Sequence, residues 1–253
     1  MKVFKIIGFI IVTFVVYLVS TLIGGFLATA LVGIKSNKYM LIAFLTALII
    51  TIIVYIVYYY LNGEKNFSDR FFLKKTSFKS ILFSICIGFG TFVISVQIMR
   101  LLSQFQGTYK ATEEFIGGMN NNIYGIIALV IIAPIFEELV FRGFLFGYLK
   151  KNCNIYIAAI IQALLFGLAH GNIIQGSYAF VLGLFLAFSL VQSKSLICPI
   201  VIHMTNNLIG GVITTQISGN VALGVIILII SIVLGSFGTI KMFELNDLRF
   251  YKR

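Results

Sequence analysis

The sequence predicts an all-α fold: a polytopic bundle of about eight transmembrane helices with both termini in the cytoplasm. Of the 253 residues, 60% are hydrophobic and only 11% are charged, with a mean hydropathy of +1.05, far outside the usage of soluble globular domains. Apolar runs long enough to cross a hydrocarbon core of about 30 Å, which takes roughly 20 helical residues, recur along the chain. Basic residues are also distributed unequally between the loops, and this inequality predicts the orientation.

Eight apolar segments are candidate spans. They cover residues 4–33, 39–61, 79–101, 122–149, 154–171, 176–192, 195–213 and 220–241. The first follows two lysines, but its apolar run is about twice as long as the apolar region of a cleaved signal peptide, so we interpret it as a retained helix. No linker rich in Pro, Gly or Ser divides the chain, which predicts one integral membrane domain over residues 1–253.

The basic residues predict which side of the membrane each loop occupies. With eight spans, the termini and the even-numbered loops share one side, which carries 14 of the 19 Lys and Arg residues. The positive-inside rule then places both termini in the cytoplasm. Loop topology thus accounts for the net charge of +11 without a nucleic-acid partner. The Lys-, Ile- and Asn-rich usage favours a multi-pass protein of a bacterial plasma membrane, surrounded by bilayer lipid.

Two carboxylates and a guanidinium interrupt the fourth span, in the stretch APIFEELVFRGF over residues 133–144. Of eight acidic residues, only Glu137 and Glu138 lie inside a predicted span. Glu138 and Arg142 are four residues apart, so they share a helix face and can form an ion pair, whereas Glu137 points about 100° away. Because a charge at mid-membrane costs roughly 2.5 to 3.5 kcal/mol on insertion scales, these residues indicate a functional site. The alternative is a salt bridge that only locks helices together.

Histidine supports the functional interpretation. The chain has two, His170 and His203, and both fall in predicted spans. His203 and Asn207 are four residues apart, so imidazole and carboxamide can point into one cavity. At 1.5 Å per residue, Glu137, His170 and His203 lie about 20, 24 and 14 Å from the cytoplasmic ends of their spans, which allows the three to meet.

Both prolines of the chain precede these residues closely. Pro134 lies three residues before Glu137, and Pro199 lies four residues before His203. Each removes a helical hydrogen bond and tends to kink a helix, which could open a cavity beside the polar side chains. Because membrane helices often carry Pro for other reasons, this interpretation stays open.

Three motifs in order on successive spans resemble the signature of the CPBP intramembrane protease family, which includes the type II CAAX prenyl endopeptidases and the bacterial Abi proteins. They are Glu137-Glu138-x-x-x-Arg142, Phe166-x-x-x-His170 and His203-x-x-x-Asn207. The resemblance covers about residues 122–210 and does not extend to residues 1–120. It implies that the second glutamate and the arginine, here Glu138 and Arg142, orient the site.

The resemblance also implies an intramembrane endopeptidase with four further roles. The first glutamate, Glu137, would activate the hydrolytic water with help from His170. His203 and Asn207 would stabilise the oxyanion. Two such donors act in a low dielectric, where stabilisation of developing charge has its largest effect.

The sequence does not decide whether this mechanism uses a metal ion. Glu137, His170 and His203 are acceptable zinc ligands, and a fourth position could hold water. The HExxH motif is absent, however, and the three scattered cysteines suggest neither a metal site nor a disulfide framework. We favour a metal-independent glutamate mechanism over a zinc metalloprotease.

Two other functions remain as alternatives. The first is a non-catalytic membrane-binding or bacteriocin-immunity protein, because some members of the family are associated with that role. The second is a proton-coupled transporter, which would also bury Glu, His and Arg, although no inverted repeat of broken helices is evident. The expected partner is a peptide or protein substrate, and the sequence does not indicate whether it is prenylated.

Overall fold

The computed structural model describes residues 2–62, 74–105, 121–213 and 220–250, together with positions 107, 110, 114, 117 and 118. Within these residues every regular element is helical. Their long helices correspond one to one with the apolar segments of the sequence, which confirms the predicted all-α class.

Eight helical segments follow one another along the described chain. They are α1 (Lys2–Val32), α2 (Tyr39–Leu61), α3 (Phe78–Leu101), α4 (Ile123–Asn152), α5 (Ile155–Leu168), α6 (Ile173–Ser193), α7 (Ile197–Asn207, continuing as a π-helix over Leu208–Ile213) and α8 (Val221–Phe250). A 3₁₀ turn over Ser103–Phe105 follows α3.

Six of these helices, α1, α2, α3, α4, α6 and α8, are long and apolar enough to cross a membrane. The chain is therefore a polytopic membrane helix bundle, as predicted. Helix α5 has 14 residues, which span only about 21 Å. The number of complete crossings and the cytoplasmic position of the termini remain predictions.

Helix α5 ends before His170, although the sequence predicted a span through residue 171. The α-helix stops at Leu168, and Gly171 adopts φ +72°, a left-handed conformation that glycine reaches at little steric cost. Asn172 then caps α6 by accepting a hydrogen bond from the amide of Gln175. His170 consequently lies in the tight turn between two helices rather than inside one.

Helix α4 packs against α1, α2, α5, α6 and α7. Aromatic rings fill its contacts with α1 and α2. Phe9 stacks on Tyr148 with ring centroids 3.7 Å apart, and Tyr55 stacks on Phe144 at the same distance. Many large apolar side chains on the outer helices are exposed, as expected for a surface that faces lipid.

Helix α4 changes its hydrogen-bonding register twice. It is π-helical over Ala128–Ile132, α-helical over Ala133–Glu138, and π-helical again over Leu139–Phe146. The two glutamates therefore lie in a short α-helical piece between two wider turns, an irregularity that is frequent at functional sites.

The second proline does not kink its helix. Helix α7 begins at Ile197, so Pro199 lies in the first turn, where backbone N–H groups have no intrahelical partner to lose. The hypothesis of a proline kink beside His203 is therefore wrong.

We expect cysteine labelling from outside intact cells to mark Asn37→Cys and to miss Lys194→Cys, because the charge distribution places residue 194 in the cytoplasm. Both positions are exposed in loops, which makes them matched probes. The background should lack Cys86, Cys153 and Cys198. Labelling of position 194 from outside would reverse the predicted orientation.

Candidate active site

A buried ion pair on α4 forms the base of the site. The Arg142 guanidinium donates through Nη1 to Glu138 Oε1 at 2.8 Å, and both side chains are 0% exposed. The spacing of four residues predicted this pair. Because an isolated charge in the interior costs several kcal/mol, Arg142 and Glu138 each make the burial of the other tolerable.

The Phe166 ring completes the environment of Arg142. The guanidinium carbon lies 4.2 Å from the centroid of this ring, and a desolvated cation–π contact contributes about 2 kcal/mol. The same ring meets the imidazoles of His170 and His203 edge-on, at 5.0 and 5.7 Å between centroids. The first residue of the Phe-x-x-x-His motif thus connects the arginine with both histidines.

His203 lies between the two glutamates. Its Nδ1 is 2.9 Å from Glu138 Oε1, and its Nε2 is 3.7 Å from Glu137 Oε2. The first distance is a hydrogen bond, in which Nδ1–H donates to the carboxylate. The second is too long for one. Helix α7 therefore brings an imidazole edge, His203 Nε2, to face the Glu137 carboxylate.

Glu137, unlike Glu138, is not held in place by hydrogen bonds within the described part of the chain. It accepts no hydrogen bond from any described residue, and its side chain is 12% exposed, against 0% for Glu138. Of two adjacent carboxylates, one is held by Arg142 and His203 and the other is partly exposed without a hydrogen bond from the described residues. The predicted division between a paired and a free glutamate is present in the geometry.

His170 is held by a backbone carbonyl in the last turn of α5. Its Nδ1 lies 2.8 Å from the Phe166 carbonyl oxygen, and because a carbonyl only accepts, Nδ1 carries the proton. In the neutral imidazole Nε2 then keeps its lone pair. His170 lies within electrostatic range of Glu137, His203 and Arg142, although among the described residues it forms no ion pair with either glutamate.

Asn207 has a backbone partner on α4. Its Nδ2 donates to the Leu129 carbonyl at 3.0 Å. In the π-helical turn the amide of Ala133 bonds to the carbonyl of Ala128, five residues back, and the next donor in that register belongs to Pro134, which has no N–H. The proline therefore frees the Leu129 carbonyl, and the asparagine amide satisfies it.

The structure brings most of the predicted site residues together. Glu137, Glu138, Arg142 and His203 form one connected group, the Phe166 ring joins His170 to it, and Asn207 anchors α7 to α4 one turn further along.

Three further polar residues, outside the predicted site, lie on helices that contribute to it or pack against it. Gln162 is fully buried on α5, one helical turn before Phe166. Asn206 is 6% exposed, with its Oδ1 unpaired among the described residues. Tyr17 of α1 stacks on Phe136 at 5.4 Å and lies within electrostatic range of Glu137. A lone amide in an apolar helix, such as Gln162, is a usable signal in a sequence, because a buried amide needs hydrogen-bond partners.

The donor set fits zinc only in part. Both histidines donate Nδ1–H to an oxygen and keep Nε2 available, as zinc-binding histidines commonly do. Within the described residues, however, no three His, Cys, Asp or Glu side chains converge closely enough to hold a metal ion. Of the three candidate ligands, Glu137 and His203 approach each other to 3.7 Å.

Comparison with known families matches this same region of the chain. A family model described as type II CAAX prenyl endopeptidase Rce1-like matches residues 119–209. These residues hold all three motifs and every side chain of the polar group described above. The motif-bearing segment belongs to the CPBP family. We call residues 119–209 the CPBP core.

Curated relatives match the chain over part of their length. The Bacillus subtilis (strain 168) protein YdiL, named as a membrane peptidase, is 32% identical over 32% of this chain and 34% of its own. The membrane-embedded CAAX protease MroQ of Staphylococcus aureus (strain USA300) is 30% identical over 48% of this chain and 53% of its own. The chain thus spans about a third to a half of the length of these relatives. No solved structure matches it.

Proposed function

We propose that this chain is an intramembrane endopeptidase that hydrolyses a peptide bond of a membrane-associated peptide or protein. The observation that carries the proposal is the free Glu137 carboxylate facing His203 Nε2 across 3.7 Å in an otherwise desolvated group. The match of the CPBP core to CAAX endopeptidases, and the names of the bacterial relatives, support the same reaction class.

In this mechanism Glu137 acts as the general base. It takes a proton from water, which His170 Nε2 orients by accepting the second O–H, and the resulting hydroxide attacks the carbonyl carbon. The tetrahedral oxyanion then collapses, the C–N bond breaks, and protonated Glu137 returns its proton to the leaving amine. A carboxylate in this position contributes about 10²- to 10⁴-fold as a general base and acid.

His203 supplies the oxyanion donor when its imidazole carries both protons. Nδ1–H is committed to Glu138, so only Nε2–H can face the substrate oxygen.

Asn207 is the second proposed donor, since Nδ2 has two hydrogens and Leu129 takes one. We expect Asn207→Ala to lower kcat by about 10²- to 10³-fold, as removal of one oxyanion donor does. A second variant distinguishes this role from a structural role, in which the Asn207 amide only pairs the Leu129 carbonyl. Pro134→Ala restores a backbone N–H for the Leu129 carbonyl, so the double variant should regain helix stability and stay inactive. Recovery of kcat in the double variant, relative to Pro134→Ala alone, would reduce Asn207 to a structural cap.

We propose that the reaction needs no metal ion. Metal analysis of the purified protein should then find zinc well below one equivalent in the wild type and unchanged in His170→Ala and His203→Ala. Stoichiometric zinc that is lost in either histidine variant would make Glu137 a ligand, or a base beside a metal-bound water. Asn207→Ala serves as the control, since an amide bound to a backbone carbonyl should not affect metal content.

The proposal is tested against its rivals by reconstitution. Wild type and Glu137→Ala are placed in liposomes with synthetic peptides that have an apolar segment and a polar tail. An endopeptidase cleaves peptide only with the wild type. A transporter would instead show Glu137-dependent proton flux without cleavage, and an immunity protein would retain peptide without either.

A further inference from the structure

Arg142 uses only part of its hydrogen-bonding capacity on Glu138. A guanidinium has five N–H donors, and here Nη1 bonds to Glu138 while Nε and Nη2 are buried without a partner among the described residues. The guanidinium is 0% exposed. Since a buried donor without a partner is costly, the surroundings of Nε and Nη2 decide how firmly Arg142 is held.

These surroundings are formed by α5 and α6. Gln162 on α5 is 0% exposed and donates through Nε2 to two carbonyls, those of Ala159 in its own helix and Gly183 in α6, each at 2.9 Å. Its Oε1 is buried and has no partner among the described residues. The Gln162 amide therefore ties two helices together and keeps one acceptor unused.

Gly183 lies between the Gln162 amide and Arg142. A Cβ at this position would lie 3.2 Å from Arg142 Nη2, and 3.0 Å from the Cβ of Ala163. The absence of a side chain thus lets the guanidinium sit directly against α6, beside the carbonyl that Gln162 binds. Arg142, with unused donors, and Gln162, with an unused acceptor, thus both border Gly183 at this helix crossing.

We propose that Gln162 and Gly183 are positioning residues for the reaction. They hold Arg142 on Glu138, Glu138 holds His203 through Nδ1, and the His203 imidazole thereby keeps Nε2 facing Glu137. The chain of contacts runs from the α5–α6 crossing to the free carboxylate through distances of 2.9, 2.8, 2.9 and 3.7 Å. Its link from α6 to Arg142 is the position of Gly183, where an added Cβ would lie 3.2 Å from Nη2. The effect of these residues on catalysis rests on the proposed function, whereas their effect on the position of the His203 imidazole does not.

The test uses Gln162→Met, which keeps length and apolar volume and removes the amide. We expect kcat to fall about 10- to 100-fold, because sub-ångström displacement of reacting groups has effects of this size, with KM changed less than about twofold, since Gln162 does not face the substrate. Gly183→Ala should lower kcat in the same direction by displacing the guanidinium. Gln97→Met, an exposed amide on α3, is the matched control for the amide.

A second readout does not depend on activity. The chain has only two histidines, so the ¹⁵N NMR signal of His203 Nδ1 is assigned by comparison with His170→Ala. We expect Gln162→Met and Gly183→Ala to shift this signal, because the hydrogen bond to Glu138 changes. Gly90→Ala, where the added Cβ would lie 2.8 Å from Gly235 Cα at the α3–α8 crossing, should lower stability without shifting it.

The outcomes separate the two claims. If wild type cleaves no peptide but the His203 signal moves in both variants, the proposed function fails and the positioning role stands. If the His203 signal and kcat of Gln162→Met both equal those of the wild type, the positioning role is overturned. Gln162 then serves only to connect α5 with α6. If Gln162→Met does not fold, Gly183→Ala decides by the same two measurements.

Discussion

Glu137→Gln is expected to abolish peptide cleavage while the bundle stays fully folded. Glutamine keeps the shape of glutamate and an acceptor oxygen, but it cannot take a proton from water. Stability should change little, because Glu137 accepts no hydrogen bond from any described residue and its side chain is partly exposed. The measurement is the cleavage rate per folded molecule, together with the midpoint of thermal unfolding in detergent.

Glu244→Gln is the matched control for this prediction. It makes the same chemical change in an ion pair with Lys241 whose side chains are 39% and 52% exposed. Such surface pairs contribute about 0–1 kcal/mol, so cleavage and stability should both remain close to those of the wild type. Residual cleavage by Glu137→Gln above background would assign the base to another group.

Glu138→Gln is expected to show the opposite pattern, with a large loss of stability. The change leaves the Arg142 charge buried without its counter-charge, and removing one partner of a buried pair costs about 3–5 kcal/mol. The hydrogen bond to His203 is weakened as well, because Oε1 accepts from both groups. The free energy of unfolding, measured by denaturant titration in detergent, should fall by this amount.

Two further results bear on the Glu138 prediction. Cleavage by the fraction that remains folded should be reduced but measurable, since Glu137 is intact. If Glu138→Gln and Glu137→Gln lose equal activity at equal stability, the two glutamates do not have separate roles, and the proposal of one structural and one catalytic carboxylate is wrong.

The sequence was sufficient for the fold because apolar composition and helix length determine it. All eight helical segments were predicted within a few residues at most ends. The largest errors concern α5, which ends at Leu168 because Gly171 turns the chain, and α8, which continues to Phe250 beyond the predicted end at 241. Hydropathy marks where a helix is apolar, and it contains no information on where the backbone leaves the helical conformation.

The candidate site was predictable where helical spacing alone decides a contact. The pair of Glu138 with Arg142 follows from four residues of separation. The position of His203 between two carboxylates depends on how α7 rotates against α4, and intrahelical spacing does not determine this. In the same way, the bond from Asn207 to Leu129 requires a π-helical turn before Pro134, which has no signature in a single sequence.

The contacts of the motif residues in the bundle explain what each motif does physically. Phe166 packs against Arg142 and both imidazoles, while its carbonyl fixes the His170 tautomer. Pro134 on α4 leaves the Leu129 carbonyl without a helical donor, and Asn207 on α7 supplies one. Each motif thus contributes at least one polar group to the site, together with a contact that holds part of the site in place.

Product analysis in H₂¹⁸O tests whether Glu137 activates water to break a peptide bond. Wild-type protein in liposomes is incubated with one cleavable membrane peptide, and the masses of the fragments are measured by mass spectrometry. We expect two fragments whose masses sum to peptide plus one water, with one ¹⁸O in the new carboxylate, and intact peptide with Glu137→Gln. Intact peptide with the wild type, or the same labelled fragments with Glu137→Gln, would contradict this expectation.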